Sequence, residues 1–324
     1  MPPAPAQIPP AFANKRVLVT GASGFVGSHV VERLLCHGAK VFAVTSSVSS
    51  AEPQRLAAVL NDVVLLEGNL TDPASLAYVV SHAKPELVIH LAAFTHVGKS
   101  FIRIDENIQT NTQGTVNLLL ALNGEFERMV YISTSDVYGD APVPFREDGP
   151  VRPTSPYAAA KYAAERFCRM FNDAYQWPIV CLRPFNVYGP RQNTDRIIPE
   201  LILSALRHRD VRMTEGHQTR EFTYVEEAAE LFVQSLVRPG IDGEVINVSR
   251  GEEVSMRDLA STVLGLMGDP VKALFGELED RPNEIWRMFG DNTKARELLD
   301  WAPKISLEDG LTTTIEWFKA HHRE

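Results

Sequence analysis

Tyr157 and Lys161 stand four residues apart, so on a helix a phenol and an ammonium face the same way one turn from each other. A phenol with its ordinary pKa near 10 is a poor base at neutral pH, and a neighbouring cation favours the phenolate. Such a pair can take a proton from an alcohol while a hydride leaves the same carbon for a nicotinamide. A second string supplies the place for that cofactor: Thr20-Gly21-Ala22-Ser23-Gly24-Phe25-Val26-Gly27 follows an apolar run and precedes a helical pattern. Strand, glycine turn and helix in this order bind the pyrophosphate of a dinucleotide. Gly21 permits the tight turn, Gly24 lets the backbone approach the phosphates, and Gly27 lets the helix pack closely on the strand. Ser23, Phe25 and Val26 lie between them, at the helix N-terminus that offers amide donors and partial positive charge.

A third string, Ile132-Ser133-Thr134-Ser135-Asp136-Val137-Tyr138-Gly139, lies between the first two. With it the chain resembles an extended short-chain dehydrogenase/reductase of the nucleotide-sugar epimerase and dehydratase family. Further matches are His90-Leu91-Ala92-Ala93, Asn111 with Gly114-Thr115-Val116-Asn117, Arg183-Pro184-Phe185-Asn186-Val187-Tyr188-Gly189-Pro190-Arg191, and Thr219-Arg220-Glu221-Phe222-Thr223-Tyr224-Val225. The resemblance runs from Lys15 to Lys319.

It implies a role for each match. Thr134 would hydrogen-bond the reacting oxygen, Tyr157 would carry the proton, and Lys161 would also hold the nicotinamide ribose. Leu91, Ala92, Ala93, Asn111 and Pro184 would line the cofactor, and Asn69 with Leu70 would touch adenine. Asn186, Arg220 and Arg281, with Arg191 beside them, would bind the diphosphate of a nucleotide-sugar, where guanidinium meets phosphate bidentately. Any of these arginines has the alternative of a surface ion pair. His96 and Ser135 would shape the substrate side.

Two positions bear on the activity and the cofactor. Asp136 occupies the place where dehydratases carry the carboxylate that removes the C5 proton, though usually as the longer glutamate; many epimerases have a neutral residue there. Its alternative is to cap the segment or pair with an arginine. At the end of the second strand, Thr45 and Ser46 stand where an acid would select NAD by its ribose hydroxyls. Without that acid both NAD and NADP are permitted. The leading expectation is a nucleotide-sugar 4,6-dehydratase with tightly bound NAD or NADP. The alternatives are a 4-epimerase, a 4-keto-sugar reductase and a dinucleotide-binding protein without turnover.

The elements that must position these residues follow from periodicity. Apolar runs at 17–20, 41–45, 63–67, 87–90, 129–133 and 179–183 read as strands. They alternate with helical patterns at 28–37, 53–60, 73–83, 104–122 and 155–175. That is α/β architecture: a doubly wound parallel sheet, with ligands at the carboxyl ends of its strands. Beyond residue 190, helices are expected at 197–207, 256–267 and 307–320 and a strand at 244–248. The organisation expected is a disordered proline-rich leader over 1–14, a Rossmann dinucleotide-binding domain over 15–190, and a smaller interleaved substrate-binding lobe over 191–324. The leader lacks the basic and apolar regions of a secretory signal.

The 324 residues carry a net charge of -9, which gives no basic footprint for nucleic acid. No stretch is apolar enough to span a bilayer. Cys36, Cys168 and Cys181, in apolar segments, read as buried thiols of a reducing, cytoplasmic compartment and not as a disulfide frame. The histidines form no ligand set, so no metal is expected. Family resemblance implies a homodimer through the 105–122 helix and the Tyr157 helix, with Ala158, Ala159, Ala163 and Ala164 small enough for close packing there or, equally, facing the sheet of their own subunit.

Overall fold

Short β-branched and aliphatic runs that are buried on both faces can only be central strands, and a computed structural model, which describes residues 12–46, 52–280 and 284–322, shows them so. In chain order the strands are β1 (Arg16–Thr20), β2 (Lys40–Thr45), β3 (Val64–Glu67), β4 (Leu87–His90), β5 (Arg128–Ile132) and β6 (Ile179–Pro184). They continue with β7 (Asn186–Tyr188), β8 (Val211–Arg212), β9 (Thr219–Arg220), β10 (Phe222–Tyr224), β11 (Val245–Val248), β12 (Val254–Ser255) and β13 (Ala273–Leu274). One seven-stranded sheet has the order β11-β6-β5-β4-β1-β2-β3, and the pairs β1–β2, β2–β3, β1–β4, β4–β5 and β5–β6 are parallel. The order reverses between β1 and β4, and that switch point is where open α/β sheets bind ligands.

The helices are α1 (Phe25–Cys36), α2 (Pro73–Ala83), α3 (Val97–Ser100), α4 (Ile104–Ile108), α5 (Gly114–Leu122) and α6 (Pro156–Tyr175). After them come α7 (Ile197–Leu206), α8 (Val225–Ser235), α9 (Met256–Leu266), α10 (Thr293–Leu299) and α11 (Leu307–His321). The helix expected over 53–60 is a 3₁₀ helix over 52–62, with Leu56 as its buried anchor. The single helix expected over 104–122 is interrupted by a π turn at Gln109–Gln113 between α4 and α5. A π turn adds one residue to a helical turn and is common at functional sites.

By internal contacts the chain forms two compact units. The first contains the residues up to Val137, Pro153–Arg183 and Ala229–Ile246. Its core includes Leu18, Val44, Leu76, Val79, Leu118, Tyr131, Cys168 and Ile179, where each aliphatic side chain buried is worth about 1.5–3 kcal/mol. The second contains Tyr138–Arg152, Pro184–Ala228 and the chain from Asn247 onward, around Ile198, Leu201, Ile202, Leu259, Val263, Leu311 and Phe318.

Three expectations need amendment. Phe12, inside the expected leader, is fully buried and stacks on His37, so ordered structure begins before residue 15; residues 1–11 lie outside the described ones. Cys36 is exposed, because α1 turns its Val30, Val31 and Leu34 face inward, whereas Cys168 and Cys181 are buried. Of the four alanines, small enough for an intersubunit contact or equally for packing on their own sheet, Ala158 and Ala164 take the second course, leaving Ala159 exposed and Ala163 partly so.

Candidate active site

The glycine turn has the geometry its sequence demands. Gly21 has φ of 71°, and a Cβ there would lie 2.7 Å from the Ala92 amide nitrogen. At Gly27 a Cβ would come within 2.0 Å of the Gly21 carbonyl oxygen. Side chains at either position would fill the cradle, so the loops after β1 and β4 approach closely only because these residues are glycine. Gly24 is the N-cap of α1 and uses no side chain for it, which leaves Ser23, Phe25 and Val26 at an amide-lined helix start. These residues fit a dinucleotide pyrophosphate. Ser23 donates to Thr45 Oγ1 at 3.2 Å and Thr45 is buried, while Ser46 at the strand's end is exposed.

Behind this cradle runs a buried chain of polar groups absent from the sequence reading. Thr115 Oγ1 donates to the Asn111 carbonyl at 2.7 Å, so it must accept from His90 Nε2 at 3.0 Å. Burial, with the Lys161 charge nearby, lowers the His90 pKa to about 3, so the ring is neutral and its Nδ1 is an acceptor. Thr20 Oγ1 therefore donates to Nδ1 at 2.6 Å and itself accepts from the Ala92 amide at 3.2 Å. Every direction in the chain is fixed, and it ties β1, β4 and the π turn together at the switch point.

Asn111 is spent on the same task. Its Oδ1 accepts from Phe94 N at 2.7 Å, and its Nδ2 donates to Phe94 O at 3.0 Å and Asn107 Oδ1 at 2.7 Å. It holds the loop that carries Leu91, Ala92 and Ala93. His96, farther along, caps α3 by accepting from Lys99 N at 3.1 Å. Asn69 shapes the turn after β3, accepting from Thr71 N at 3.0 Å, and Leu70 is buried in the core.

Helix α6, which carries Tyr157 and Lys161, starts where Ser155 caps it, accepting from the Ala158 amide at 3.1 Å, and Pro156 occupies the first turn. The Tyr157 amide also donates to Ser100 Oγ at 3.2 Å, fastening α6 to α3. Tyr157 and Lys161 are both buried. Lys161 Nζ donates to Ile132 O at 2.6 Å and lies 4.3 Å from the centre of the Tyr131 ring. Burial lowers its pKa to about 8. One turn further on, Glu165 receives a fork from Arg183, Nε to Oε2 at 2.9 Å and Nη2 to Oε1 at 2.6 Å. Both side chains are almost wholly buried, so Arg183 serves the fold while Pro184 ends β6.

After β5 the chain makes a 3₁₀ turn, Ser135–Tyr138. Thr134 Oγ1 accepts from Asp136 N at 3.2 Å and donates to Asp136 Oδ2 at 3.4 Å, which sets hydroxyl and carboxylate side by side; Ser135 is buried next to them.

In the second unit, Asn186 on β7 donates from Nδ2 to the Glu221 carbonyl at 3.1 Å. Arg220 Nη1 donates to Ile285 O at 2.6 Å and Thr219 O at 2.7 Å, and Nη2 pairs with Glu284. Arg191 follows β7 in the left-handed conformation, φ 68°. Arg281 lies outside the described residues. Glu221, quoted in the sequence only as a neighbour of Arg220, is a fully buried carboxylate. It lies between β9 and β10, and an acid buried there must find partners. Among the described residues no group of three or more acidic, His or Cys side chains could hold a metal, and no helix is long and apolar enough to cross a membrane.

Comparison with known proteins agrees with this geometry. The family model described as GDP-mannose 4,6 dehydratase matches residues 18–314. The chain is similar to dTDP-D-glucose 4,6-dehydratase of Mus musculus, 32% identical with 96% of this chain and 90% of that protein covered. It is also similar to UDP-glucose 4-epimerase of Mycolicibacterium smegmatis, 34% identical with 94% and 98% covered. Among solved structures, the dTDP-glucose 4,6-dehydratase DesIV of Streptomyces venezuelae, with NAD bound, superposes with a TM-score of 0.86 at 28% identity, covering 94% of this chain and 97% of that one. With a cofactor cradle, a Thr-Tyr-Lys centre and a match of this extent, the chain belongs to the GDP-mannose 4,6-dehydratase-like family of nucleotide-sugar epimerases and dehydratases, the extended short-chain dehydrogenase/reductases.

Proposed function

We propose that this protein is a nucleotide-sugar 4,6-dehydratase that works by transient oxidation at C4 with a tightly bound nicotinamide dinucleotide. The observation that carries the reading is the Thr134–Asp136 turn, which sets a hydroxyl and a carboxylate together directly after β5. When bound, the nicotinamide supplies a hydride acceptor and donor. Tyr157 takes the proton of the C4 hydroxyl, and Thr134 hydrogen-bonds that oxygen. The ketone at C4 acidifies C5–H; Asp136 removes that proton, water leaves from C6, and the resulting C5–C6 double bond would take back the hydride at C6 and a solvent-exchangeable proton at C5. The buried Lys161 ammonium favours the phenolate of Tyr157 and offers its remaining protons to the nicotinamide ribose. Gly21, Gly24 and Gly27 with the start of α1 hold the pyrophosphate; Leu91, Ala92, Ala93 and Pro184 line the rest, with Asn69 and Leu70 toward adenine. The NAD-bound relative favours NAD, although Thr45 and Ser46 leave NADP permitted. Asn186, Arg191 and Arg220, with Arg281, bind the nucleotide diphosphate, and His96 and Ser135 shape the sugar side.

A C4 epimerase is the second reading. It needs Tyr157 and Thr134 but no carboxylate, and Asp136 is shorter than the glutamate of most dehydratases, while one similar protein is an epimerase. Asp136→Asn separates the two. It removes the proton acceptor at nearly constant size, so as a dehydratase the variant loses water release by about a hundredfold to ten-thousandfold while C4 oxidation survives. Mass spectrometry of products from a panel of nucleotide-sugars in deuterium oxide reads this directly. Loss of water with deuterium at C5 supports dehydration; unchanged mass with altered retention, insensitive to Asp136→Asn, transfers the assignment to the epimerase.

The protein acts as a homodimer in this reading. Ile104 and Ile108 on α4, Leu120 on α5, and Phe167 and Met170 on α6 are exposed apolar residues on the helices that the family resemblance assigns to the subunit contact. Light scattering that gives a monomer mass at micromolar concentration removes this part. The three free thiols support a reducing, cytoplasmic setting.

A further inference from the structure

Every hydrogen bond to the buried Glu221 carboxylate comes from a neutral donor. Oε2 accepts from Ser249 Oγ and from the Gly290 amide, each at 2.8 Å, and Oε1 accepts from the Arg250 amide at 2.9 Å; the Gly251 amide also favours the charged form. These donors belong to two segments distant in sequence: 249–251, just after β11, and Gly290, ahead of α10. On its backbone side, Glu221 accepts from Asn186 Nδ2, and the next residue, Phe222, pairs with Asn186 in the β10–β7 register. The preceding residue is Arg220, whose guanidinium holds Ile285 O and Glu284. Segment 284–290 is thus fastened at one end by Arg220 and at the other by Glu221. A carboxylate has about four acceptor positions and no donor, so it suits this set of N–H and O–H groups, and an amide does not.

We propose that Glu221 is a positioning residue for nucleotide-diphosphate recognition: its carboxylate locks segments 249–251 and 284–290 to β9 and β10, so that Arg220 and Asn186 are presented in fixed positions. The inference rests on the reading that Arg220 and Asn186 bind the diphosphate. Glu221→Gln keeps the shape but turns an NH₂ toward N–H donors. Titration calorimetry on the full chain carrying its dinucleotide, with the tightest binder among UDP, dTDP and GDP as probe, is expected to show affinity lowered about tenfold or more. KM for the nucleotide-sugar rises in parallel, while kcat stays within about twofold and the bound dinucleotide content is unchanged. Glu221→Asp, which keeps the charge on a shorter arm, recovers part of the affinity. Wild-type affinity in Glu221→Gln overturns the proposal, as does a loss of dinucleotide equal to the loss of diphosphate binding. If Glu221→Gln does not fold, Ser249→Ala removes one donor and is expected to weaken the probe about two- to fivefold; no change there overturns it equally. Arg220→Ala separates the two levels. Undiminished probe binding in that variant defeats the diphosphate reading itself, whereas weak binding there with normal binding in Glu221→Gln defeats only the role of Glu221.

Discussion

The two units hold their buried charges by different means. In the first, Lys161 and Glu165 sit on a twenty-residue helix and Arg183 on a six-residue strand, so the backbone ladders of α6 and β6 fix where the charges stand. In the second, Arg220 and Glu221 lie at strands of two and three residues, too short to hold a register alone. There the side chains themselves fasten the loops: Glu221 grips residues 249–251 and 290, Glu227 accepts from the Ile305 amide at 3.0 Å, and Asn247 Nδ2 donates to Phe145 O at 3.0 Å. Regular elements supply precision at the Thr134-Tyr157-Lys161 centre, and buried side-chain clamps supply it around Arg220.

The comparison breaks most directly at Tyr157. Tyr157→Phe keeps the ring in its buried position and removes only the hydroxyl, the proposed proton carrier, so turnover is expected to fall by about a hundredfold to ten-thousandfold with dinucleotide content unchanged. Stopped-flow absorbance of reduced nicotinamide reads the first half-reaction, and wild-type kinetics would exclude the phenol.

Arg183→Met leaves Glu165 buried without its cation, and denaturant unfolding should register a loss of about 3–5 kcal/mol. Replacing both members, Arg183→Met with Glu165→Leu, returns most of it, since the regular elements persist without the ion pair. A double variant as unstable as the single one would mean that the pair, not the ladders, holds this region.

In the second unit the corresponding experiment is a pH series. Burial raises the Glu221 pKa to about 7 from an ordinary 4.5, so between those values the folded chain binds more protons than the unfolded one. Stability from this group is therefore highest at low pH and declines as pH rises through 7, by up to about 3 kcal/mol in all. Thermal melts at pH 5 and pH 8 should show the wild type losing stability relative to Glu221→Gln. A constant difference would mean that Glu221 ionises normally in the fold.

The smallest effect is expected behind the cofactor cradle. Thr115→Val is nearly isosteric but leaves His90 Nε2–H without its acceptor, at a cost of about 1–3 kcal/mol, and Thr115→Ser restores it. Nitrogen NMR of His90 should show the Nε2–H tautomer and no titration between pH 5 and 8, following from its lowered pKa. A protonated ring in that range would contradict the direction of the relay.

The sequence by itself determined the parts whose physics is local. Gly21 and Gly27 announce a backbone approach no side chain permits; Ser155-Pro156 starts a helix, and the four-residue spacing within it puts Tyr157 and Lys161 on one side. Alternating apolar runs placed the central strands of the first unit to within a residue and its α1 start to within three, and the same logic found α7, α9 and α11. Tertiary structure decided what depends on partners remote along the chain. The π turn at Gln109–Gln113 forms where Asn111 reaches the Phe94 backbone. The tautomer of His90 is set by two threonines 70 and 25 residues away. Arg183, which reads as part of a substrate motif, is spent on Glu165 across the β6–α6 interface. The four-residue α3, the seven-residue α10 and the short strands of the second unit carry too few residues for a period to show, the eleven-residue α8 went unread, and Glu221 finds its donors 28 to 69 positions away. A local pattern records the conformation of a segment, but a buried polar group is satisfied by whatever the fold brings to it, and that is written in no single stretch of sequence.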